Sequence, residues 1–171
     1  ITIDTSKLTA LHNNAWTEGY EVGAGNIELI ENGESRFSEP MGLQLFGGSA
    51  RGVAKKCYEV VFRKKYGAGH VESAIFDNRD SAIYQNFVLR TGSQDESEAV
   101  IRDIMGTSLM DEYTDVDVQA YKAVVLYMNG KYRGVYFIRE KVDEYFVANH
   151  YNVEATKSNT DIVRIDGTYK S

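Results

Sequence analysis

The sequence predicts an α+β fold with a mostly antiparallel β-sheet and one or two packed helices. Three observations lead to this class: strand-like segments outnumber helical ones, signals for tight hairpin turns recur, and one segment has helical periodicity behind a capping motif. With 171 residues and 43% hydrophobic residues, the chain is long enough to bury a core. We therefore expect residues 1–171 to form a single domain.

The strongest local signal is the Asn129-Gly130 pair, which separates two apolar runs and predicts a two-residue hairpin turn. Both central residues of a type I′ turn need a positive φ, which asparagine and glycine tolerate best. A hairpin closed by this turn would place Val125 opposite Gly134, and a glycine within a strand indicates a bulge or a close backbone approach. Because both faces are apolar or aromatic, we expect this hairpin at the centre of the sheet with both faces covered.

The remaining strands are predicted from short β-branched, aromatic or alternating runs that are bounded by turn signals. These runs cover residues 26–31, 41–46, 58–63, 86–90 and 161–166. Residues 1–6 alternate between apolar and polar side chains, as an edge strand does. The segment from Gly23 to Gly25 is expected to form a turn, and Asn32-Gly33 predicts a second hairpin.

Two helices are predicted. Asp95 suits a helix N-cap, and Glu98 three residues later completes a capping box, so a helix should run from Glu96 to about Asp111. A shorter helix is expected at residues 143–150. The apolar residues of the first helix fall on one face, as in a helix that packs on a sheet; they are Val100, Ile101, Ile104, Met105 and Leu109.

The composition limits the classes of function. A net charge of −6 disfavours nucleic acid as the main partner, and we expect none. No apolar run approaches the roughly 18 residues of a membrane-spanning helix, and no signal peptide is recognisable. The single cysteine, Cys57, excludes an internal disulfide and is expected to be buried. His12, His70 and His150 are far apart and have no ligand pattern around them, so no metal site is predicted.

A glycine-rich loop with neighbouring cations is the candidate binding site. Gly47 and Gly48 would let backbone N–H groups approach an anion, Ser49 would add a donor, and Arg51 and Lys56 would supply positive charge. The loop is not a Walker A motif, because the Gly-Lys-Ser/Thr ending is missing, and it does not match Gly-x-Gly-x-x-Gly. A solvated loop with basic residues is the other interpretation, and the pattern alone leaves both open.

Glu140 follows the predicted hairpin and is a second candidate. It could pair with Lys56 across the sheet, as a lysine–glutamate pair does in kinases, or it could belong to an exposed helix start with surface salt bridges. Arg90 is expected to form an ion pair with Asp95 in a structural role, and no catalytic residue is assigned.

Four segments together resemble the CotH family, the spore-coat protein H kinase-like proteins. The most specific is the hairpin at residues 127–136 with Glu140 behind it. The other three are residues 42–51, residues 56–62, and residues 87–95 with residues 101–103 behind them. Their order and spacing resemble the N-terminal half of that family over residues 40–166. Two positions depart from the family pattern, namely Ala50 in the loop and Cys57 after the lysine pair.

The resemblance implies a distant relative of the protein-kinase fold, with this chain as the N-terminal part of a longer CotH-like domain. It implies ATP and Mg²⁺ as cofactors, coat or cell-surface proteins as partners, and a location on the bacterial spore coat or cell surface. By the same resemblance, residues 47–51 would cover the nucleotide phosphates, Lys56 would contact them and Glu140 would position Lys56. Kinase-like folds carry their metal-binding and catalytic acids in a C-terminal lobe, so this chain alone is expected to be inactive.

Two further interpretations stay open. The same scaffold could act as a non-catalytic surface or spore-coat assembly module, because its 12 tyrosines suit wet interfaces. Carbohydrate binding by Trp16 and exposed tyrosines has only the composition behind it.

Overall fold

The structure, a computed structural model, describes residues 1–92, 95, 97–163 and 169–170. Its main body is a curled six-stranded antiparallel sheet with helices on it, which confirms the predicted α+β class. The elements in chain order are α1 (Thr5–Asn13), β1 (Glu21–Glu31), β2 (Glu34–Leu45), β3 (Tyr58–Val61), β4 (Val71–Glu72), β5 (Ile83–Tyr84), β6 (Asn86–Arg90), α2 (Arg102–Tyr113), β7 (Tyr121–Met128), β8 (Lys131–Arg139), α3 (Glu144–Tyr151), β9 (Ile162–Val163) and β10 (Tyr169–Lys170).

The sheet runs in the order β1-β2-β3-β6-β8-β7, and every neighbouring pair is antiparallel. Its curl brings the two outermost strands towards each other, because Lys122 Nζ on β7 lies 2.6 Å from Glu31 Oε1 on β1. Two short additional pairs, β4 with β5 and β9 with β10, lie outside this sheet.

The hydrophobic core lies on the inner face of the curled sheet, under α1. Leu43, Val60, Phe87 and Ile138 come from four adjacent strands and are each at most 2% exposed. Leu11 of α1 is 1% exposed and joins the same cluster. Removing such surface from water is the main stabilising contribution to the fold, at about 25 cal/mol per Å².

The edge strand expected at residues 1–6 is wrong beyond its first residues. Thr2 does pair with Asn26, but Asp4 ends the extended path and begins α1. Its carboxylate accepts hydrogen bonds from the backbone N–H groups of Ser6 and Lys7, which satisfies two of the unpaired donors of the first turn. The N-cap signal of Asp4 therefore outweighs the alternating pattern.

The predicted hairpin is confirmed as β7 and β8, with φ of 52° at Asn129 and 73° at Gly130. The expected pairing of Val125 with Gly134 is wrong, because one residue is inserted at Arg133 and Gly134 instead faces Leu126. Gly134 has a φ of 93°, so the bulge indicated by a mid-strand glycine is present.

The expectation that both faces of the hairpin are covered is also wrong. β8 lies inside the sheet, but β7 is its last strand. Val125, Tyr127, Tyr132 and Val135 are all more than 40% exposed on the outer face of the hairpin. An apolar pattern on both faces did not distinguish a buried strand from one with an exposed aromatic face.

The longer helix exists, but it begins at Arg102 instead of Glu96, which lies outside the described residues. Val100 has a φ of 66°, which interrupts a helical path. Asp95 still binds the backbone near the helix start, since its carboxylate accepts hydrogen bonds from the N–H groups of Ala99 and Arg102. Of the five apolar residues assigned to one packed face, only Ile104 is buried; Ile101, Met105 and Leu109 are about half exposed.

The other strand predictions at residues 26–31, 41–46, 58–63 and 86–90 are confirmed with shifted bounds. The turn at Asn32-Gly33 and the helix at residues 143–150, present as α3 with Asp143 as its N-cap, are also confirmed. The turn expected from Gly23 to Gly25 is wrong, because these residues form an irregularity within β1. The last predicted strand, residues 161–166, is present as β9 at residues 162–163; Asp161 is not in the strand, and residues 164–166 fall outside the described residues.

The irregularity at Gly23 makes room for the ring of Tyr66. A Cβ on Gly23 would lie 2.3 Å from Tyr66 Cζ, and a Cβ on Gly42 would lie 2.6 Å from Tyr66 Cε2. The Tyr66 hydroxyl donates to Glu21 Oε1 at 2.8 Å. The Tyr66 ring thus packs directly against two glycines on neighbouring strands, and its hydrogen bond to Glu21 fixes its orientation.

Glu21 accepts hydrogen bonds from four side chains that hold the segment after β3 against β1 and β2. The donor-to-oxygen distances are 2.7–2.8 Å, and the donors are Gln44, Arg63, Lys65 and Tyr66. Burial alone would raise the pKa of Glu21, but these four hydrogen bonds outweigh it and lower the pKa to about 2.

The low pKa of Glu21 predicts acid sensitivity. A carboxyl whose pKa is lower in the folded chain stabilises the fold fully above its unfolded pKa of 4.5 and loses that contribution as the pH falls towards about 2. We expect Glu21→Gln to cost about 2 kcal/mol at pH 7 and progressively less at pH 4 and pH 3. Urea unfolding of both proteins at the three pH values measures this. A difference between them that is independent of pH would contradict it.

Candidate functional site

The glycine-rich loop connects β2 to β3 at one end of the sheet. Leu45 pairs with Tyr58, and the N–H of Phe46 donates to the carbonyl of Cys57 at 3.0 Å, which closes the base of the loop. Gly47 has a φ of 99°, a conformation that favours glycine. Residues Ser49–Arg51 then form one turn of 3₁₀-helix.

The tip of the loop leaves backbone donors and space available. Among the described residues, the N–H groups of Gly47, Gly48 and Ser49 donate no hydrogen bond. A Cβ built on Gly48 would meet no atom within 4 Å. These are the properties that an anion-binding backbone loop requires.

The other side of the loop rests on Trp16. A Cβ on Gly52 would lie 3.1 Å from Trp16 Cζ2, so the indole ring packs against the loop backbone. The ring is nevertheless 70% exposed. Carbohydrate binding by Trp16 stays a prediction.

Lys56, which the sequence assigned to the site, and Lys55, which it did not, both lie at this loop. Lys56 Nζ donates to the carbonyl of Arg51 at 2.6 Å, which ties the lysine back to the loop. Lys55 Nζ donates to the carbonyl of Val135 at 2.9 Å and lies 5.0 Å from the centre of the Tyr136 ring. Both lysines use one ammonium hydrogen in this way and keep two others.

Arg133 on β8 extends the positively charged region, and His12 on α1 borders it. His12 Nε2 lies 3.0 Å from the Tyr58 hydroxyl at the start of β3. Burial lowers the pKa of His12, and the positive charges of Lys56 and Arg133 lower it further. The lowered pKa disfavours a charge on His12, so the positive charge here comes from the lysine and arginine side chains.

The charge of this cluster is not balanced locally. Among the described residues, no carboxylate lies within 4.0 Å of the charged groups of Arg51, Lys55, Lys56 or Arg133. Arg51 Nε is buried and has no hydrogen-bond partner in the same part of the chain. We call these four residues the cation cluster. In an acidic protein, such an excess of positive charge is the signature of a site for an anion.

Arg90 leaves the sheet at the same end as the loop, since Leu89 pairs with Tyr58. Its Nε lies 2.8 Å from Asp103 Oδ2 on α2, and Arg139 of β8 also contacts this carboxylate. A cation on a strand held by an acid on the helix that follows is the arrangement that protein kinases build from a lysine and a glutamate.

The predicted pair of Arg90 with Asp95 is wrong. Asp95 instead binds Arg102, with Nε and Oδ1 3.1 Å apart. The sequence carried a usable signal for Arg90 and Asp103: Arg90 ends a strand just before a helix, and Asp103 lies in the first turn of that helix.

Glu140 does not pair with Lys56, so that prediction is wrong. The hydroxyl of Tyr136 donates to the carbonyl of Lys56, whereas Glu140 directly follows β8, four residues or about 13 Å of extended chain beyond Tyr136. Glu140 is 4% exposed, and its Oε2 lies 2.7–3.1 Å from Arg79 Nε, the N–H of Ala120 and His150 Nε2. It is a buried structural carboxylate.

A different lysine–glutamate pair lies near Glu140. Lys141 Nζ is 2.6 Å from Glu59 Oε1 and 3.6 Å from Asp143 Oδ2. Burial alone would lower the pKa of Lys141, but the carboxylates of Glu59, Asp143 and Glu144 together outweigh it and the pKa is raised. The pair borders a polar cavity of about 200 Å³ that also contacts Arg63 and Asn86.

Other site types find little support. Cys57 is buried, as predicted, and the N–H of Thr91 donates to its Sγ at 3.4 Å. The described residues contain no group of three His, Cys, Asp or Glu side chains that could hold a metal ion. Within that same part of the chain, no helix has the length and apolar character needed to cross a membrane.

A comparison with protein families identifies the chain. The profile of the family described as CotH kinase protein matches residues 43–170, about three quarters of the sequence. The matched region includes the glycine-rich loop, the cation cluster, Arg90 with Asp103, and the hairpin. No curated protein matches the chain. On the family match, this chain belongs to the CotH family, as its sequence motifs suggested.

Proposed function

We propose that this chain binds the phosphates of ATP at the glycine-rich loop and serves as the nucleotide-phosphate-binding part of a CotH-like protein kinase acting on coat or cell-surface proteins. The single observation that carries the proposal is the cation cluster at the loop, four positive charges with no carboxylate of the described residues within 4.0 Å. The matching family is described as a kinase protein, and this description is the reason for proposing ATP as the ligand. A spore-coat or surface location is part of the same proposal.

In this proposal both the loop backbone and the cations bind the phosphates. The N–H groups of Gly47, Gly48 and Ser49 donate to phosphate oxygens, while Arg51 and Lys56 add charge-assisted hydrogen bonds. Lys56 is already positioned, because its bond to the carbonyl of Arg51 restricts the side chain before a ligand arrives.

Arg90 supplies a further positive charge at the same end of the sheet. It forms an ion pair with Asp103 on the following helix, at a place where protein kinases pair the phosphate-binding lysine with a helix glutamate. This pair, and not Lys56 with Glu140, takes the role of the strand–helix ion pair in the proposal.

The described residues do not fit a magnesium site, since they bring no three potential ligands together. Accordingly, no step of phosphate transfer is assigned to this chain. In the proposal, magnesium arrives on the nucleotide, and the acids of a kinase-like C-terminal lobe complete the reaction. In the proposal, the residues that the structure describes contribute binding of the nucleotide phosphates.

Calorimetric titration with Mg-ATP tests the phosphate contacts. We expect Lys56→Gln and Arg51→Gln each to weaken binding about tenfold, because each removes a charge-assisted hydrogen bond. Lys64→Gln removes the same charge beyond the other end of β3, on an exposed side chain, and should leave binding unchanged. Equal losses in all three variants would indicate non-specific attraction and contradict the proposal.

A second candidate function is supported by the exposed face of the hairpin. Tyr127 and Tyr132 pack edge to face with ring centres 5.7 Å apart, and both are more than half exposed. Such a face suits a non-catalytic role in assembly with coat proteins. Tyr127→Ser with Tyr132→Ser should then abolish binding to an isolated coat protein and leave the affinity for Mg-ATP unchanged. Intact binding of the coat protein by this double variant would contradict the assembly role.

A further inference from the structure

Trp16, the one tryptophan of the sequence, lies in the turn that follows α1. The N–H of Thr17 donates to the carbonyl of Asn14 at 3.0 Å and closes this turn. Ala15, directly before the tryptophan, is buried in the core cluster, so the turn is anchored. Trp16 itself is 70% exposed. Single exposed apolar side chains are common on protein surfaces, so exposure alone does not indicate a site.

Gly52 leaves space for the indole ring at the end of the glycine-rich loop. A Cβ built on Gly52 would lie 3.1 Å from Trp16 Cζ2 and 3.4 Å from Trp16 Cη2. The backbone of Gly52 has a φ of −86° and a ψ of −20°, which any residue adopts easily. Room for the ring, and not backbone conformation, therefore favours glycine at this position. The contact holds the ring in place while at least one of its faces stays open to solvent.

The ring also borders the cation cluster. Gly52 directly follows Arg51, and the carbonyl of Arg51 accepts a hydrogen bond from Lys56 Nζ at 2.6 Å. His12 lies four residues before Trp16, and its pKa is lowered by burial and further by the positive charge of Lys56. An open aromatic face and a group of unbalanced positive charges thus meet at the same loop.

This combination suits a ligand that joins an aromatic ring to several phosphates. Nucleic-acid bases stack on exposed aromatic side chains, and one such stack typically changes affinity about tenfold. Tyr58 and Tyr136 also border the cation cluster, but they are 5% and 2% exposed and leave no face for a base. Trp16 presents the accessible ring.

We propose that Trp16 binds the base of a purine nucleoside triphosphate by stacking, while the phosphates bind at the glycine-rich loop. The inference rests on the proposed function, because the bound phosphates bring the base to the ring. A two-ring base covers more of the indole than a one-ring base does, so purines are preferred. Stacking does not distinguish the hydrogen-bonding groups of bases, so ATP and GTP bind alike. Trp16 precedes the family match at residues 43–170, which therefore does not assign it.

Fluorescence of the single tryptophan tests the stack on the full chain. Mg-ATP and Mg-GTP should quench it strongly, whereas saturating inorganic tripolyphosphate, which has phosphates but no base, should leave it nearly unchanged. Mg-UTP carries the same phosphates as Mg-ATP and should bind about threefold or more weakly. Equal quenching by tripolyphosphate and Mg-ATP, or equal affinity for Mg-ATP and Mg-UTP, would overturn the proposal.

Calorimetric titration of variants separates stacking from support of the loop. Trp16→Ala should weaken binding of Mg-ATP about tenfold and leave the affinity for tripolyphosphate unchanged, and Trp16→Phe should recover part of the loss. Tyr113→Ala removes an equally exposed ring from α2 and should change neither affinity. Equal weakening of both ligands by Trp16→Ala would overturn the proposal, since the ring would then only support the loop.

The same titrations distinguish failure of the stack from failure of the phosphate site. If tripolyphosphate binds at the loop and Trp16→Ala leaves the affinity for Mg-ATP unchanged, the stack is overturned and the phosphate site stands. If neither ligand binds the unmodified chain, the stack and the proposed function are both overturned.

Discussion

Replacing Glu140 with alanine is expected to lower the free energy of unfolding by about 3–5 kcal/mol. The substitution leaves the partly buried side chain of Arg79, the His150 imidazole and the N–H of Ala120 without their common acceptor. These groups belong to three segments of the chain, so the loss loosens the connection of α3 to the start of β7 as well. Urea denaturation monitored by circular dichroism measures the change.

The control for this prediction is Glu112→Ala, an exposed carboxylate on α2, which should change the free energy of unfolding by less than about 0.5 kcal/mol. Glu140→Gln distinguishes a structural role from a role in positioning Lys56. A structural role predicts lower stability and, in the folded protein at low temperature, unchanged affinity for Mg-ATP. Normal stability with weakened ATP binding would restore Glu140 to the nucleotide site.

Gly42→Val is expected to destabilise the fold by about 3 kcal/mol. Its Cβ would lie 2.6 Å from the Tyr66 ring and 3.0 Å from Val61 Cγ2, and Val61 is buried in the sheet. The Tyr66 ring is held in place by the hydrogen bond that its hydroxyl donates to Glu21. The variant therefore has to push Tyr66 off the sheet and break the cluster of donors around Glu21.

A double-mutant cycle tests this explanation. In a chain that already carries Tyr66→Ala, most of the space under the ring is empty, so adding Gly42→Val should cost at least about 1 kcal/mol less than it costs alone. Thermal or urea unfolding of the four proteins gives the coupling energy. Strictly additive effects would mean that the clash with Tyr66 is not the cause.

The sequence predicted the parts of the fold that depend on local chemistry. Asn129-Gly130 and Asn32-Gly33 form their turns because only such residues readily adopt a positive φ at both central positions. The strand runs at residues 58–63 and 86–90 were recognisable from β-branched and aromatic residues.

The errors arose where distant parts of the chain decide the outcome. The inserted residue at Arg133 changes the register of the hairpin, and no local pattern marks which residue is inserted. The exposed face of α2 has the same period as a buried one, so the sequence could not show that Met105 and Leu109 remain exposed.

The candidate site was predicted in part. The loop and its cations are neighbours in sequence, so Arg51 and Lys56 could be assigned to the candidate site from the sequence alone. Glu140 could not be placed, since its partners Arg79 and His150 come from segments on either side and the strand register separates it from Lys56. Arg133 joins the cation cluster only through the pairing of β8, which explains why the sequence did not indicate it.

The central claim is that phosphate binds at the loop after β2. The most direct test is an NMR titration of the full chain with Mg-ATP, followed at every backbone amide and repeated with inorganic tripolyphosphate. The account predicts that both ligands produce their largest shift changes at Gly47, Gly48 and Ser49, and that Lys56→Gln reduces them. Shift changes centred on the cavity beside Glu59 and Lys141, or none at the loop in saturating nucleotide, would contradict it.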